Sequence, residues 1–209
     1  RAAPGRPKRA AHPLGGSTDV PIGRGARAHE VRLIGGQWKR SKLPVADRPG
    51  LRPTPDRGRE TLFNWLGQDL AGWRVLDAFA GSGALGFEAA SRGAGEVVLL
   101  ERDAILARSL TASKARLNAD ALQVHATDAL AWMMGAAHGR FDLVLLDPPS
   151  DAVLHGPATD AASKLLKPGG WLYVESDKQL EPSLGFESHR HLKASAVHAH
   201  LWRRINSGP

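Results

Sequence analysis

Four carboxylates stand where apolar runs give way to polar residues: Asp77, Glu101, Asp128 and Asp147. The first is followed by Gly81-Ser82-Gly83-Ala84-Leu85-Gly86, which matches the Gly-x-Gly-x-x-Gly pattern of a turn where a ligand approaches the backbone closely. Glu101 is placed to accept hydrogen bonds from ribose hydroxyls. Both features suit NAD, and both suit any other adenosine cofactor. Asp77 helps to discriminate, because a carboxylate beside the turn repels a pyrophosphate but suits an ammonium and a sulfonium, as in S-adenosylmethionine. Asp128 is a candidate acceptor from an adenine amino group, with helix capping as the competing use. The fourth acid begins Asp147-Pro148-Pro149-Ser150. Two prolines fix φ and remove two backbone donors, which leaves carbonyls to accept from an amine. An exocyclic amine held by Asp147 and the Pro148 carbonyl would aim its lone pair at a methyl carbon, a reaction driven by positioning and electrostatics.

The elements that must carry these residues alternate. Arg74–Phe79 reads as a buried strand, Ala84–Arg92 as a helix and Val97–Glu101 as a second strand. Leu106, Leu110 and Leu117 mark a helix ending near Asn118, and Leu122–Ala126 is a third strand. An apolar helix runs through Trp132 and Met134, and Phe141–Asp147 is a fourth strand. A weaker helix reaches Leu165 and Leu166 and is ended by Lys167-Pro168-Gly169-Gly170; Trp171–Glu175 is a fifth strand. Such alternation predicts a mostly parallel sheet covered on both faces, with ligands at the carboxyl ends of its strands. The four acids fall at those ends. Ser188–Lys193 and Val197–Arg204 are extended without a helix between them and predict an antiparallel pair at one edge. Their His189, His191, His198 and His200 alternate at strand spacing and are expected to form a solvated strand face, with no metal.

Ahead of this body, Val31–Ile34 and Lys42–Val45 flank Gly35-Gly36 and predict a short ribbon. Thr54 is expected to cap a helix with Pro55 in its first position, and Leu62, Phe63, Leu66 and Leu70 give its inner stripe. Residues 1–30 carry six Lys and Arg with repeated Pro and Gly, and are expected to be a disordered basic arm. The organisation expected is therefore this arm, a ribbon and helix over 31–72 covering the site, and a catalytic body over 73–209. The chain has 209 residues, a net charge of +7 and no cysteine. The charge favours a polyanionic partner, and the lack of cysteine excludes disulfides and thiolate chemistry. The apolar runs are too short to span a membrane.

The Asp-Pro-Pro motif with Asp77-Ala78-Phe79-Ala80-Gly81-Ser82-Gly83 resembles the class I S-adenosylmethionine-dependent amino-methyltransferases. Ile34–Trp38, Leu51-Arg52-Pro53-Thr54, Asp56–Leu66 and Ala84–Ala89 more narrowly resemble the RsmD family, bacterial methyltransferases of a guanine N2 in 16S ribosomal RNA. The resemblance implies a Rossmann-like α/β fold with a seven-stranded, mostly parallel sheet and an antiparallel last strand. It implies a cytoplasmic location, S-adenosylmethionine as cofactor, and small-subunit ribosomal RNA or the small ribosomal subunit as partner. A monomer that does not engage a membrane is expected. By carry-over, Gly81 and Gly83 approach the methionine part, Glu101 holds the ribose and Asp128 lies by the adenine. Asp77, Phe79, Ala80 and Ala129 complete the expected cofactor set. Asp147, Pro148 and Pro149 would receive the guanine amine. Arg32, Lys39, Arg40, Arg52, Thr54, Arg57, Arg59 and Ser150 are the expected RNA contacts. Competing readings are another nucleic-acid amino-methyltransferase, a non-catalytic RNA-binding protein on this scaffold, and an NAD-dependent oxidoreductase.

Ser150 departs from the family, in which this position is an aromatic ring stacked on the extruded base. Stacking contributes roughly 1–3 kcal/mol per base. A Ser150→Tyr variant is expected to bind RNA about tenfold more tightly by filter binding; unchanged affinity would show that another ring, Phe79 first, already stacks.

Overall fold

The computed structural model describes residues 29–49, 51, 54–149 and 152–205. Most of the basic arm, with Arg52 and Ser150, lies outside the described residues. Two antiparallel strands, β1 (His29–Arg32) and β2 (Lys42–Val45), form the ribbon and are followed by α1 (Asp56–Trp65). The body then runs β3 (Arg74–Asp77), α2 (Ala84–Ser91), β4 (Glu96–Glu101), α3 (Ala104–Leu117), β5 (Leu122–Ala126), α4 (Ala129–Gly135) and β6 (Phe141–Leu146). It closes with α5 (Ala152–Leu165), β7 (Leu166–Ser176), β8 (Phe186–Ala194) and β9 (Val197–Arg204).

Seven strands form one sheet in the order β5-β4-β3-β6-β7-β9-β8. The first five in that order are parallel, and β9 is antiparallel to both β7 and β8. This is the architecture of a class I S-adenosylmethionine-dependent methyltransferase. Side chains alternate between two buried clusters, as a sheet covered on both faces requires. Val75, Val97, Leu143 and Tyr173 pack with α2, α3 and the ribbon; Leu76, Val98, Val144 and Val174 pack with α4 and α5. The ribbon and α1 have no core of their own, since Val31, Leu43, Leu62 and Phe63 belong to the first cluster.

Several elements differ from the expectation. Thr54 does not cap α1: Pro55 is the cap residue, with no side-chain cap bond, and the Thr54 hydroxyl is used elsewhere. Leu70 lies beyond the end of α1 and reaches the core from the following loop, after Gly67 and Gln68 turn the chain with positive φ. Lys167–Gly170 does not separate a helix from a strand. It is already part of β7, where the pairing with β6 slips between Phe141 and Leu143.

Arg59 is the main correction. It is fully buried and no RNA contact. Its guanidinium donates to the carbonyls of Arg32 at 3.0 Å and Thr54 at 3.3 Å, and pairs with Asp56 at 2.6 Å and Glu88 at 3.3 Å. Glu88, equally buried, also accepts from the Ile34 and Gly35 amides at 3.0 and 2.8 Å and pairs with Arg92 at 3.0 Å. Removing one partner of a buried pair leaves the other charge uncompensated, at a cost of about 3–5 kcal/mol. Arg59→Met is expected to destabilise the protein by about that amount in urea unfolding, whereas Arg57→Ala, on the exposed side of α1, should stay within about 0.5 kcal/mol of the parent.

Candidate active site

Because the central strands are parallel, their carboxyl ends share one edge of the sheet, and a cavity of about 750 Å³ opens there. That is ample for a nucleoside-sized ligand. Asp77, Phe79, Ala80, Gly81 and Glu101 line it from the β3 and β4 ends. Asp128 and Ala129 line it from the start of α4, and Asp147, Pro148 and Pro149 from the end of β6. Thr54 reaches it from the N-terminal segment.

The glycine turn is held by the acids around it. Glu101 accepts from the Gly81 amide at 2.9 Å and the Asp103 amide at 2.8 Å, so one carboxylate fixes the turn and the start of the next connection. Asp77 accepts from the Gly86 amide at 3.0 Å. A Cβ on Gly86 would stand 2.2 Å from a Leu99 methyl, so the third glycine serves helix–strand packing. Gly83 is the N-cap residue of α2 with φ +83°, and it is buried against Leu110 and Phe87. It shapes the turn from beneath, and Ser82 takes its place on the cavity wall beside Gly81. Asp128 does cap α4, through the Ala131 amide at 2.9 Å, while remaining on the cavity wall.

A fifth acid joins the four. Glu175, near the end of β7, is buried and accepts from the Tyr173 hydroxyl at 2.7 Å and the Thr54 hydroxyl at 3.0 Å. Strands β3, β6 and β7 are neighbours, so Asp77, Asp147 and Glu175 converge on one cavity. Burial raises the pKa of each, repulsion from Glu101 and Glu175 raises Asp77 further, and repulsion from Glu175 and Asp77 raises Asp147. The Asp147 carboxyl is pushed well above its usual range, by burial first and then by Glu175 and Asp77. Hydroxyl donors oppose the rise at Glu175. Such a pocket favours a cationic guest, which would relieve the repulsion.

Other contributors escape sequence reasoning. Arg48 donates from its Nε to Asp103 at 2.8 Å, and Asp103 caps α3, so the segment after the ribbon is strapped beside Glu101. His155 on α5 bonds the Glu175 carbonyl at 2.9 Å. Of the expected RNA contacts, Arg32 is exposed but paired with Asp56 at 3.4 Å. Lys39, Arg40 and Arg57 are exposed, and none forms an ion pair among the described residues. None of these four cations lines the cavity.

The family model described as "Conserved hypothetical protein 95" matches residues 31–203, a span that takes in the second half of β1, all of β2 and every strand-end acid. The chain belongs to the RsmD family. It is 40% identical over 190 residues to ribosomal RNA small subunit methyltransferase D of Escherichia coli K12, covering 86% of this chain and 92% of that one. The Haemophilus influenzae protein of the same name is 42% identical over 156 residues, covering 71% and 80%. The solved structure of Escherichia coli yhhF superposes with a TM-score of 0.76 at 38% identity over 85% of this chain and 99% of that one.

Asp77 carries a direct consequence for stability. Burial lifts it from 3.8 to about 7, so the folded protein holds this proton more tightly than the unfolded chain does. Its contribution is complete below about pH 4 and is lost as pH rises through about 7. Asp77→Asn is expected to flatten the fall in thermal stability between about pH 4 and pH 7, as measured by scanning calorimetry. Parallel curves for parent and variant would refute the assignment.

Proposed function

We propose that this protein transfers a methyl group from S-adenosylmethionine to the exocyclic N2 amine of a guanine in 16S ribosomal RNA. The observation that carries this reading is that Asp147-Pro148-Pro149 opens into the same cavity as the Asp77–Gly81–Glu101 cradle. The names of the relatives, which specify small-subunit ribosomal RNA methylation, supply the substrate class.

S-adenosylmethionine supplies an electrophilic methyl group on a positively charged sulfur. Asp77 and its acidic neighbours fit that charge and an adjoining ammonium, and would disfavour the pyrophosphate of NAD. Glu101 keeps unused lone pairs for ribose hydroxyls, and the Asp128–Ala129 corner is left for the adenine ring. Asp147 and the Pro148 carbonyl accept the two N–H bonds of the guanine amine and turn its lone pair toward the methyl carbon. With the cofactor bound, its methyl group would pass from sulfur to the amine nitrogen, and the surplus amine proton would pass to Asp147, which the cationic guest would hold as a carboxylate. Extruding the base costs about a few kcal/mol, and Lys39, Arg40 and Arg57 are the exposed cations that would offset it through phosphates. Its place beside ribosomal RNA makes the protein cytoplasmic.

Tritium from labelled cofactor is expected in N2-methylguanosine after incubation with small subunits from cells lacking the enzyme and digestion to nucleosides. Label in any other nucleoside would overturn the choice of base. Asp147→Ala is expected to lower turnover by about a hundredfold to ten-thousandfold while retaining cofactor binding by calorimetry. Loss of cofactor binding instead would assign Asp147 to the cradle.

A further inference from the structure

The outer strands of the sheet hold a group of side chains that methyl transfer does not use. Four histidines alternate along β8 and β9, but they do not share one face. The pairing of β8 with β9 slips between Ser188 and Arg190, and this bulge turns His189 onto Trp171, 4.7 Å between ring centres, on the ribbon side of the sheet. His191, His198 and His200 remain together on the other side. One ring nitrogen from each lies within 4.8 Å of the other two. His191 Nε2 and His198 Nδ1 are 2.9 Å apart, and their rings stack at 5.1 Å and 14°. His200 stacks on His191 at 4.9 Å and 28°.

We propose that His191, His198 and His200 form a binding site for a divalent cation of the zinc class, with water in the remaining position. Zinc–nitrogen bonds of about 2.0–2.1 Å at a tetrahedral angle set ligand nitrogens about 3.3 Å apart. The His191–His198 pair therefore needs to open by only a few tenths of an ångström. His200 has the support that orients a ligating imidazole, since its Nδ1 meets the Val174 carbonyl at 3.2 Å and so directs Nε2 as the lone pair. That Nε2 accepts the Leu180 amide at 3.0 Å, so the ion would take the place of one amide from the connection between β7 and β8.

Ligating imidazoles must be neutral. Desolvation, His191 and Lys193 lower the pKa of His198, with Asp177 opposing; burial and the histidines around it lower that of His200. The position of the cluster gives the ion a structural consequence. His198 adjoins Val197, which with Ala196 lines the cavity, so a bound cation would join the edge strand to β9 beside the cavity rim. The proposal stands on these three residues and is independent of the substrate assigned above.

The test is isothermal titration of zinc chloride into the full chain, stripped with chelator and carrying no histidine tag. One saturable ion per chain is expected. His191→Ala and His198→Ala should each weaken it about tenfold or more, and His189→Ala, on the opposite face, should leave it intact. Circular dichroism checks that each variant is folded. No saturable binding, binding that survives His191→Ala or His198→Ala, or equal loss in His189→Ala would each overturn the site.

Discussion

A carboxylate with no access to water must have its charge answered from within the protein. Glu88 is answered by Arg59 from α1, by Arg92 from its own helix and by two amides of the ribbon turn. Two separate stretches of chain, α1 and the ribbon turn, are thereby fixed on the helix that follows the glycine turn. α2 is buried along its whole length as a result, since the ribbon covers the side that would otherwise face solvent. Ser91 extends the seam, donating to the Gly35 carbonyl at 2.6 Å and accepting from the Trp38 amide at 3.0 Å. Thr54 leaves this anchored segment to meet Glu175 inside the cavity. The N-terminal region is therefore part of the cavity wall.

The cavity inherits its character from sheet geometry. Strands buried on both faces can place charged groups only at their ends, and parallel strands bring those ends to one side. Asp77, Asp147 and Glu175 consequently share a space that none of them would tolerate if fully ionised and without a cationic partner. The protein answers part of this cost with amide and hydroxyl donors, at Asp77 through Gly86 and at Glu175 through Thr54 and Tyr173. The remainder is available to a positively charged ligand. The acidic character of the cavity thus has its origin in the arrangement of three strand ends.

Much of this is legible in the sequence, and the parts that are not share a cause. The alternating body, the antiparallel tail and the acids at Asp77, Glu101, Asp128 and Asp147 follow from local pattern, because strand periodicity and strand ends are properties of short windows. Glu175 obeys the same rule at the end of the fifth run, but its significance depends on Thr54, 121 positions away. Arg59 is misjudged for the same reason. Beside Arg57 and a helix start it looks solvated, and only the fold brings it to Glu88, 29 positions on. The histidine row fails differently, since strand spacing places all four on one face until a bulge removes His189.

That bulge also bears on how open the margin of the sheet is to a further strand. β8 ends the sheet, and an outermost strand presents unpaired backbone groups on which a second chain can assemble. The irregular pairing after Ser188 disturbs the repeat that such an intruder would need to match. Exposed Glu187, Arg190 and Lys193 add charges that a neighbouring strand would have to bury. The outer margin of the sheet is thus poorly suited to templating aggregation, although it is nine residues long.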